Sequence, residues 1–262
     1  MVSGPEVADN LRVAARLVAE AADRGAELVA LPEYFPLVSG DEFAKLAICE
    51  QEGEGPIQDF LRETAAKWGI WLVGGSIPLA AQHPGKVRNS CLVFDAEGRQ
   101  VGRYDKVHLF SFQKGEEAYD ESRSIEAGSR VVACDTPFGR LGLFICYDLR
   151  FPEFFRAMGE VDVIVLPAAF THTTGEAHWE LLLRARAVEN QCYVLASAQG
   201  GRHESGRVTW GHSMAIDPWG KVLDVCPTGA GLALADFDRS HLKAIREGLP
   251  ALKHRRDDLS GS

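Results

Sequence analysis

No apolar run in this 262-residue sequence is long enough to span a bilayer: the most apolar stretch, Val161 to Phe170, is short and carries Asp162. No basic stripe runs along the chain either, and 28 Lys and Arg against 37 Asp and Glu leave a net charge of −9. The electrostatic footprint of a nucleic-acid binder is therefore missing. The N-terminus shows no basic segment followed by an apolar one, the signature of a secretory leader. Six cysteines are scattered without a Cys-x-x-Cys pair or a regular spacing. That argues against a zinc site and a disulfide framework, and fits reduced thiols in the cytoplasm. Low-complexity linkers and breaks in composition are lacking too, so one domain over residues 1–262 is expected.

What is present is an alternation of short apolar runs and amphipathic stretches, with 46% hydrophobic residues to build a core. Leu11, Ala14, Ala15, Val18 and Ala22 recur at helical spacing between Asp9 and Arg24. A short strand over Glu27–Leu31 is stopped by Pro32, and helices are expected over Asp41–Cys49 and Pro56–Trp68. Ile70–Ser76 reads as a buried strand. Three hairpins follow from turn residues between runs of strand type: Cys91–Asp95 with Gln100–Asp105, Val131–Asp135 with Arg140–Cys146, and His212–Ile216 with Lys221–Val225. Val161–Leu166 and Cys192–Ala198 read as buried strands flanking a helix from Ala177 to Asn190. A last strand over Gly231–Asp236 and a last helix over Asp238–Glu247 precede a charged tail, Leu249–Ser262, expected to be loose or partner-bound. Strands alternating with helices give an α/β fold, and the hairpins make its sheets mixed.

Chemistry concentrates at strand ends. The run Leu141–Pro152 turns polar at Cys146, and Phe151-Pro152-Glu153 looks like a first helical turn. A helix N-terminus beside the thiol would lower its pKa and favour the thiolate. Glu33 and Lys106 likewise end strand-like runs, and strand ends facing one way converge on one site. A thiol, a carboxylate and an ammonium suffice for acyl transfer, as nucleophile, proton carrier and oxyanion stabiliser.

Leu-Pro-Glu-Tyr at 31–34, Tyr-Asp-Lys-Val-His-Leu-Phe at 104–110 and Gly-Leu-Phe-Ile-Cys-Tyr-Asp-Leu-Arg-Phe-Pro-Glu at 142–153 resemble, in order, the three signature segments of the nitrilase superfamily of carbon–nitrogen hydrolases. The likeness continues through 166–171, 174–180, 184–190 and 211–220, and in 174–220 it is greatest to the deaminated glutathione amidase branch, with the ω-amidases next. The resemblance implies an αββα sandwich of two mixed sheets flanked by helices, paired as a homodimer. It implies Cys146 as nucleophile, Glu33 as general base and acid, Lys106 as oxyanion stabiliser and the Tyr147 N–H as second oxyanion donor. For the family's second glutamate, Glu117 and Glu121 are both candidates; the Glu-Ser step at 121–122 selects Glu121. Two carboxylates would also keep a buried Lys106 charged.

The implied reaction hydrolyses a small-molecule amide through a thioester, without cofactor or metal and with no nucleic-acid or membrane partner. The expected substrate is deaminated glutathione, giving 2-oxoglutarate and an amine in metabolite repair. An ω-amidase acting on α-ketoglutaramate, a true nitrilase and a catalytically silent scaffold are the alternatives. Substrate-binding candidates are Thr171, Thr173, His178 and Arg202, the last in a Gly-rich polar loop that either meets a substrate carboxylate or is simply exposed. His108 and His212 read as structural hydrogen-bonding residues, and Asp148 as a turn-shaping one. In one respect the sequence departs from the family: relatives start with an apolar strand ahead of the first helix, and here Met1-Val2-Ser3-Gly4 stands where that strand ends. Loss of that strand would leave its neighbours with exposed edges.

Overall fold

Alternation along the strand Val87–Phe94 shows how the layers arise: Cys91 and Val93 point into one hydrophobic core, Leu92 and Phe94 into another. The computed structural model describes residues 1–115 and 117–256. In chain order its main elements are α1 (Val7–Asp23), β1 (Leu28–Ala30), α2 (Ala44–Ala47), α3 (Pro56–Trp68), β2 (Trp71–Val73), β3 (Ile77–Ala80), β4 (Val87–Phe94), β5 (Gln100–Asp105), β6 (Ser111–Lys114), β7 (Glu117–Asp120), β8 (Val132–Thr136) and β9 (Gly139–Leu143). Then come α4 (Pro152–Ala157), β10 (Val163–Ala168), α5 (His172–Asn190), β11 (Tyr193–Ala198), β12 (Gly200–Arg202), β13 (Val208–Trp210), β14 (Ser213–Ile216), β15 (Val222–Cys226) and α6 (Arg239–Gly248).

One five-stranded sheet has the order β1-β2-β4-β3, with β5 on the other edge of β4. A six-stranded sheet runs β15-β14-β11-β10-β9-β8. Both are mixed: β1 and β2 are parallel, as are β9, β10 and β11, while the hairpin partners are antiparallel. Val73, Cys91, Val93 and Tyr104 of the first sheet share a core with Leu141, Leu143, Val165 and Leu166 of the second. On the outer face of the first sheet, Leu72, Leu92 and Phe94 meet Leu17 and Val18 of α1 and Leu61 and Ala65 of α3. Outside the second sheet, Trp179, Leu183 and Ala187 of α5 and Leu242 of α6 close the opposite core. The result is the αββα sandwich.

The three expected hairpins form, and their aspartates explain two of the turns. Asp95 accepts from the N–H groups of Glu97 and Arg99, and Asp217 from those of Trp219 and Lys221. Pro56 opens α3 and Gly69, at φ 61°, closes it in the left-handed conformation. By contrast, α5 starts at His172 rather than Ala177, because the Thr171 hydroxyl accepts the Thr174 N–H and caps it earlier. Gly175 inside α5 is needed for contact: a Cβ there would stand 2.3 Å from Trp210 Cβ. The helix expected over Asp41–Cys49 shrinks to the four residues of α2.

The expected strand over Gly231–Asp236 does not form. The segment lies against the edge strand β15, but through a side chain rather than a ladder: the Leu234 N–H donates to the Asp224 carboxylate at 2.8 Å, and a Cβ on Gly231 would stand 2.7 Å from Cys226 Sγ. A cavity of about 410 Å³ is lined by Glu27 and Leu28 on one side, Ala233 to Phe237 on another, and Val194 and Leu195 beneath. Of the tail, Ala251–His254 forms a 3-10 turn, and residues 257–262 lie outside the described residues.

Candidate active site

Cys146 stands where the β9 backbone turns into the 3-10 turn Cys146–Arg150, with a positive φ of 49° that a non-glycine residue rarely adopts. Asp148 holds the corner. Its carboxylate accepts the Ile145 N–H at 2.8 Å, while its own N–H donates to the Ile145 carbonyl at 3.1 Å. The same carboxylate accepts the Tyr104 hydroxyl at 2.6 Å and the His108 N–H at 3.1 Å, and His108 Nδ1 lies 2.7 Å away. His108 also stacks on Phe151 at 3.7 Å. The Cys146 turn is thereby fastened to the segment that carries Lys106. Asp148 and His108 bond to each other, and Asp148 bonds to the backbone of the turn, as expected of hydrogen-bonding residues.

Lys106 follows β5 and is fully buried, its Nζ 2.8 Å from Glu33 and 2.8 Å from Glu121. Burial alone would push the ammonium down, but the two carboxylates and Cys146 outweigh it and hold Lys106 above its ordinary value. Glu33, past the end of β1, receives Asn89 Nδ2 at 3.0 Å and the Ala169 N–H at 2.9 Å in addition to Lys106. Glu121 receives the Tyr34 hydroxyl at 2.6 Å and the Phe110 N–H at 2.7 Å. Burial pushes its carboxyl up, yet Lys106 and these donors bring it below the ordinary glutamate value. Glu117, the other candidate, instead accepts the Thr173 hydroxyl at 3.0 Å.

The thiol departs from expectation. Burial first, and then the Glu33 charge, push Cys146 well above an ordinary thiol, despite Lys106 pulling the other way. The helix that begins at Pro152 is six residues long and does not outweigh these effects. The resting site therefore holds a neutral thiol, with the Glu33 carboxylate in the same cavity. Tyr147 is the second residue of the turn, ahead of its first closed bond from Asp148 to Ile145, in the region where backbone N–H groups lack partners inside a helix.

Glu33, Glu121, Cys146 and Tyr147 line one cavity with Phe110, Ala169, Phe170, Thr171, Thr174 and Arg207. Its volume, about 10 Å³, is room for roughly one water. A reacting carbonyl group fits there, and the rest of a substrate must lie across the mouth. The larger cavities, about 350 and 410 Å³, are elsewhere and contain none of these side chains. Of the substrate-binding candidates, Thr171 lines the cavity while capping α5. Thr173 faces Glu117, His178 is exposed with Nδ1 3.2 Å from Arg150, and Arg202 is exposed and reaches only the Gly206 carbonyl. Arg207, five positions further along the same loop, occupies the site instead: β12 and β13 pair Arg202 with Val208 and so carry Arg202 away from the cavity. Asn89 and Arg207 were missed because a lone polar residue in a strand or a loop carries no spacing signal.

The carbon–nitrogen hydrolase family profile matches residues 4–247. The chain is a carbon–nitrogen hydrolase. A deaminated glutathione amidase of Yersinia enterocolitica is 41% identical over 98% of this chain and 91% of its own length. An omega-amidase NIT2 of Danio rerio is 40% identical over 96% of this chain and 91% of its own. Among solved structures, Saccharomyces cerevisiae Nit3, a member of branch 10 of the nitrilase superfamily, superposes with a TM-score of 0.87 at 32% identity, covering 97% of this chain and 94% of that one. A hydrolase of amides in the nitrilase superfamily is thus the enzyme class of this chain.

Proposed function

We propose that this carbon–nitrogen hydrolase cleaves the amide of deaminated glutathione, with Cys146 as nucleophile and Glu33, Lys106 and Glu121 serving it. The observation that carries the reading is the buried Lys106 ammonium between two carboxylates, in the site whose cavity holds the neutral Cys146 thiol. As Sγ attacks the amide carbon, Glu33 takes the thiol proton. Lys106 and the Tyr147 N–H stabilise the oxyanion. Glu33 returns the proton to the leaving nitrogen as the C–N bond breaks, and a thioester remains on Cys146. Water, deprotonated by Glu33, then attacks the thioester and releases 2-oxoglutarate, and the thiol recovers its proton. Glu121 keeps Lys106 charged and in place. Water supplies the second nucleophile and its proton, and Glu33 carries each proton between the groups that give and receive it.

The similarity to the Yersinia amidase favours deaminated glutathione, and the similarity to the Danio omega-amidase favours α-ketoglutaramate as the second reading. Both amides release 2-oxoglutarate, so one coupled assay ranks them. A higher kcat/KM for deaminated glutathione supports the first reading, and the reverse order supports the second. A folded protein that hydrolyses neither would overturn both and leave the silent scaffold. The same reading includes a cytoplasmic homodimer. Its support is six free cysteines, and exposed Leu181 and Val188 on one face of α5 next to exposed Trp219. Sedimentation should then report twice the 28.6 kDa of one chain.

A further inference from the structure

Arg207 has an unexplained donor at the mouth of the cavity. Its Nη2 donates to the Ala169 carbonyl at 3.0 Å, and its guanidinium lies over the Tyr119 ring at 5.2 Å. Its Nε is buried without an acceptor, and it pairs with no carboxylate among the described residues. A buried N–H is ordinarily satisfied, so this one calls for an acceptor the protein does not supply. The fork of a guanidinium matches a carboxylate.

Position says which part of a substrate it meets. Ala169 carries both contacts: its carbonyl holds Arg207, and its N–H holds Glu33 at 2.9 Å. Arg207 therefore sits on the Glu33 side of the cavity, where the departing nitrogen takes its proton. The cavity has room for little more than the reacting carbonyl, so both halves of a substrate extend across the mouth, and the half on the Glu33 side is the one attached to the departing nitrogen.

We propose that Arg207 binds a carboxylate on the leaving amine, making the enzyme selective for amides of amino acids and short peptides over primary amides. The proposal rests on the amidase reading above, and it names the half of the substrate that decides between deaminated glutathione and α-ketoglutaramate. Those two amides share one acyl group; only the first leaves as a carboxylate-bearing dipeptide, the other as ammonia.

The test is the ratio of kcat/KM for deaminated glutathione to that for α-ketoglutaramate, in wild type, Arg207→Gln, Arg207→Lys and Arg202→Gln. Loss of one charge-assisted contact should lower the ratio about 10- to 100-fold in Arg207→Gln, mainly through KM for the dipeptide amide. Arg207→Lys should recover part of it, since the charge remains and the fork does not. Raising the salt concentration should raise KM for the dipeptide amide in wild type and much less in Arg207→Gln. Arg202→Gln should keep the wild-type ratio. If Arg207→Gln slows both amides equally and leaves the ratio unchanged, Arg207 is a structural support of Ala169 or serves the acyl half, and the proposal is wrong. Absence of turnover of either amide by folded wild type would instead bring down the amidase reading itself.

Discussion

The first strand of the molecule is treated in opposite ways at its end and along its edge. At its carboxyl end, Glu33 is 1% exposed and receives hydrogen bonds from Lys106, Asn89 and Ala169. Along its edge, Leu28 to Ala30 bond to β2 on one side and line cavities on the other, with Gly231–Asp236 across them in no ladder. The difference follows from what each position loses when unpaired. A buried charge without a partner costs several kcal/mol, so the Glu33 end is saturated with partners. A backbone edge that water can reach costs far less. The site is thus the part of the chain where order is obligatory, and the edge the part where it is optional.

The largest expected break at the saturated end is Cys146→Ala, which should lower turnover by about 10⁴-fold or more in a coupled assay while the melting temperature stays near wild type. Lys106→Met comes next. It should reduce kcat by about 10²–10³-fold, and it should destabilise the fold by about 3–5 kcal/mol because two buried carboxylates lose their counter-ion. Urea unfolding alongside kinetics would separate the two effects.

Glu121 sharpens the comparison through pH. Its carboxyl lies below the ordinary value in the folded chain, so the unfolded chain takes up that proton first on acidification. Its stabilising contribution is therefore complete above about pH 4.3 and is lost as pH falls from there through the lower folded value. Glu121→Gln should be less stable at neutral pH and should show a shallower loss of stability on acidification. Melting temperatures at a series of pH values would show either slope. The thiol gives a spectroscopic counterpart: the difference in thiolate absorbance between wild type and Cys146→Ala should show no step at or below about pH 8.5, the ordinary thiol value. A step in the acidic range would mean that the helix dipole, not burial and Glu33, governs the thiol.

At the open edge the expected effect is small. Val29→Thr, in the middle of that edge, should lower the melting temperature by no more than about 2–4 °C, the shift that ~1 kcal/mol gives at this size. A loss as large as that of Lys106→Met would mean that order is as obligatory at the edge as at the site.

How much of this was legible in the sequence depends on the kind of signal. The hairpins were marked by turn residues such as Asp95 and Asp217, which act within a few positions of themselves. Glu33, Lys106 and Cys146 stood at strand ends, where periodicity breaks visibly. The hairpin of β6 and β7 did not stand out, since Ser111 to Lys114 is mostly polar and, apart from Phe112, exposed. The 231–236 segment has a strand's composition, but a ladder needs a neighbour, and composition says nothing about that. The direction of the thiol's pKa shift depended on burial and on the Glu33 charge, neither of which a local pattern reveals. Arg202 and Arg207 are equivalent by composition, and only the register of β12 with β13 separates them.

The most direct test of the account is to quench the enzyme in acid during turnover of deaminated glutathione and weigh the peptide that carries Cys146. That peptide should carry the mass of the 2-oxoglutaryl group as a thioester, removable by hydroxylamine, and Cys146→Ala should release no product. An acyl group on another residue, or turnover by Cys146→Ala within tenfold of wild type, would contradict it.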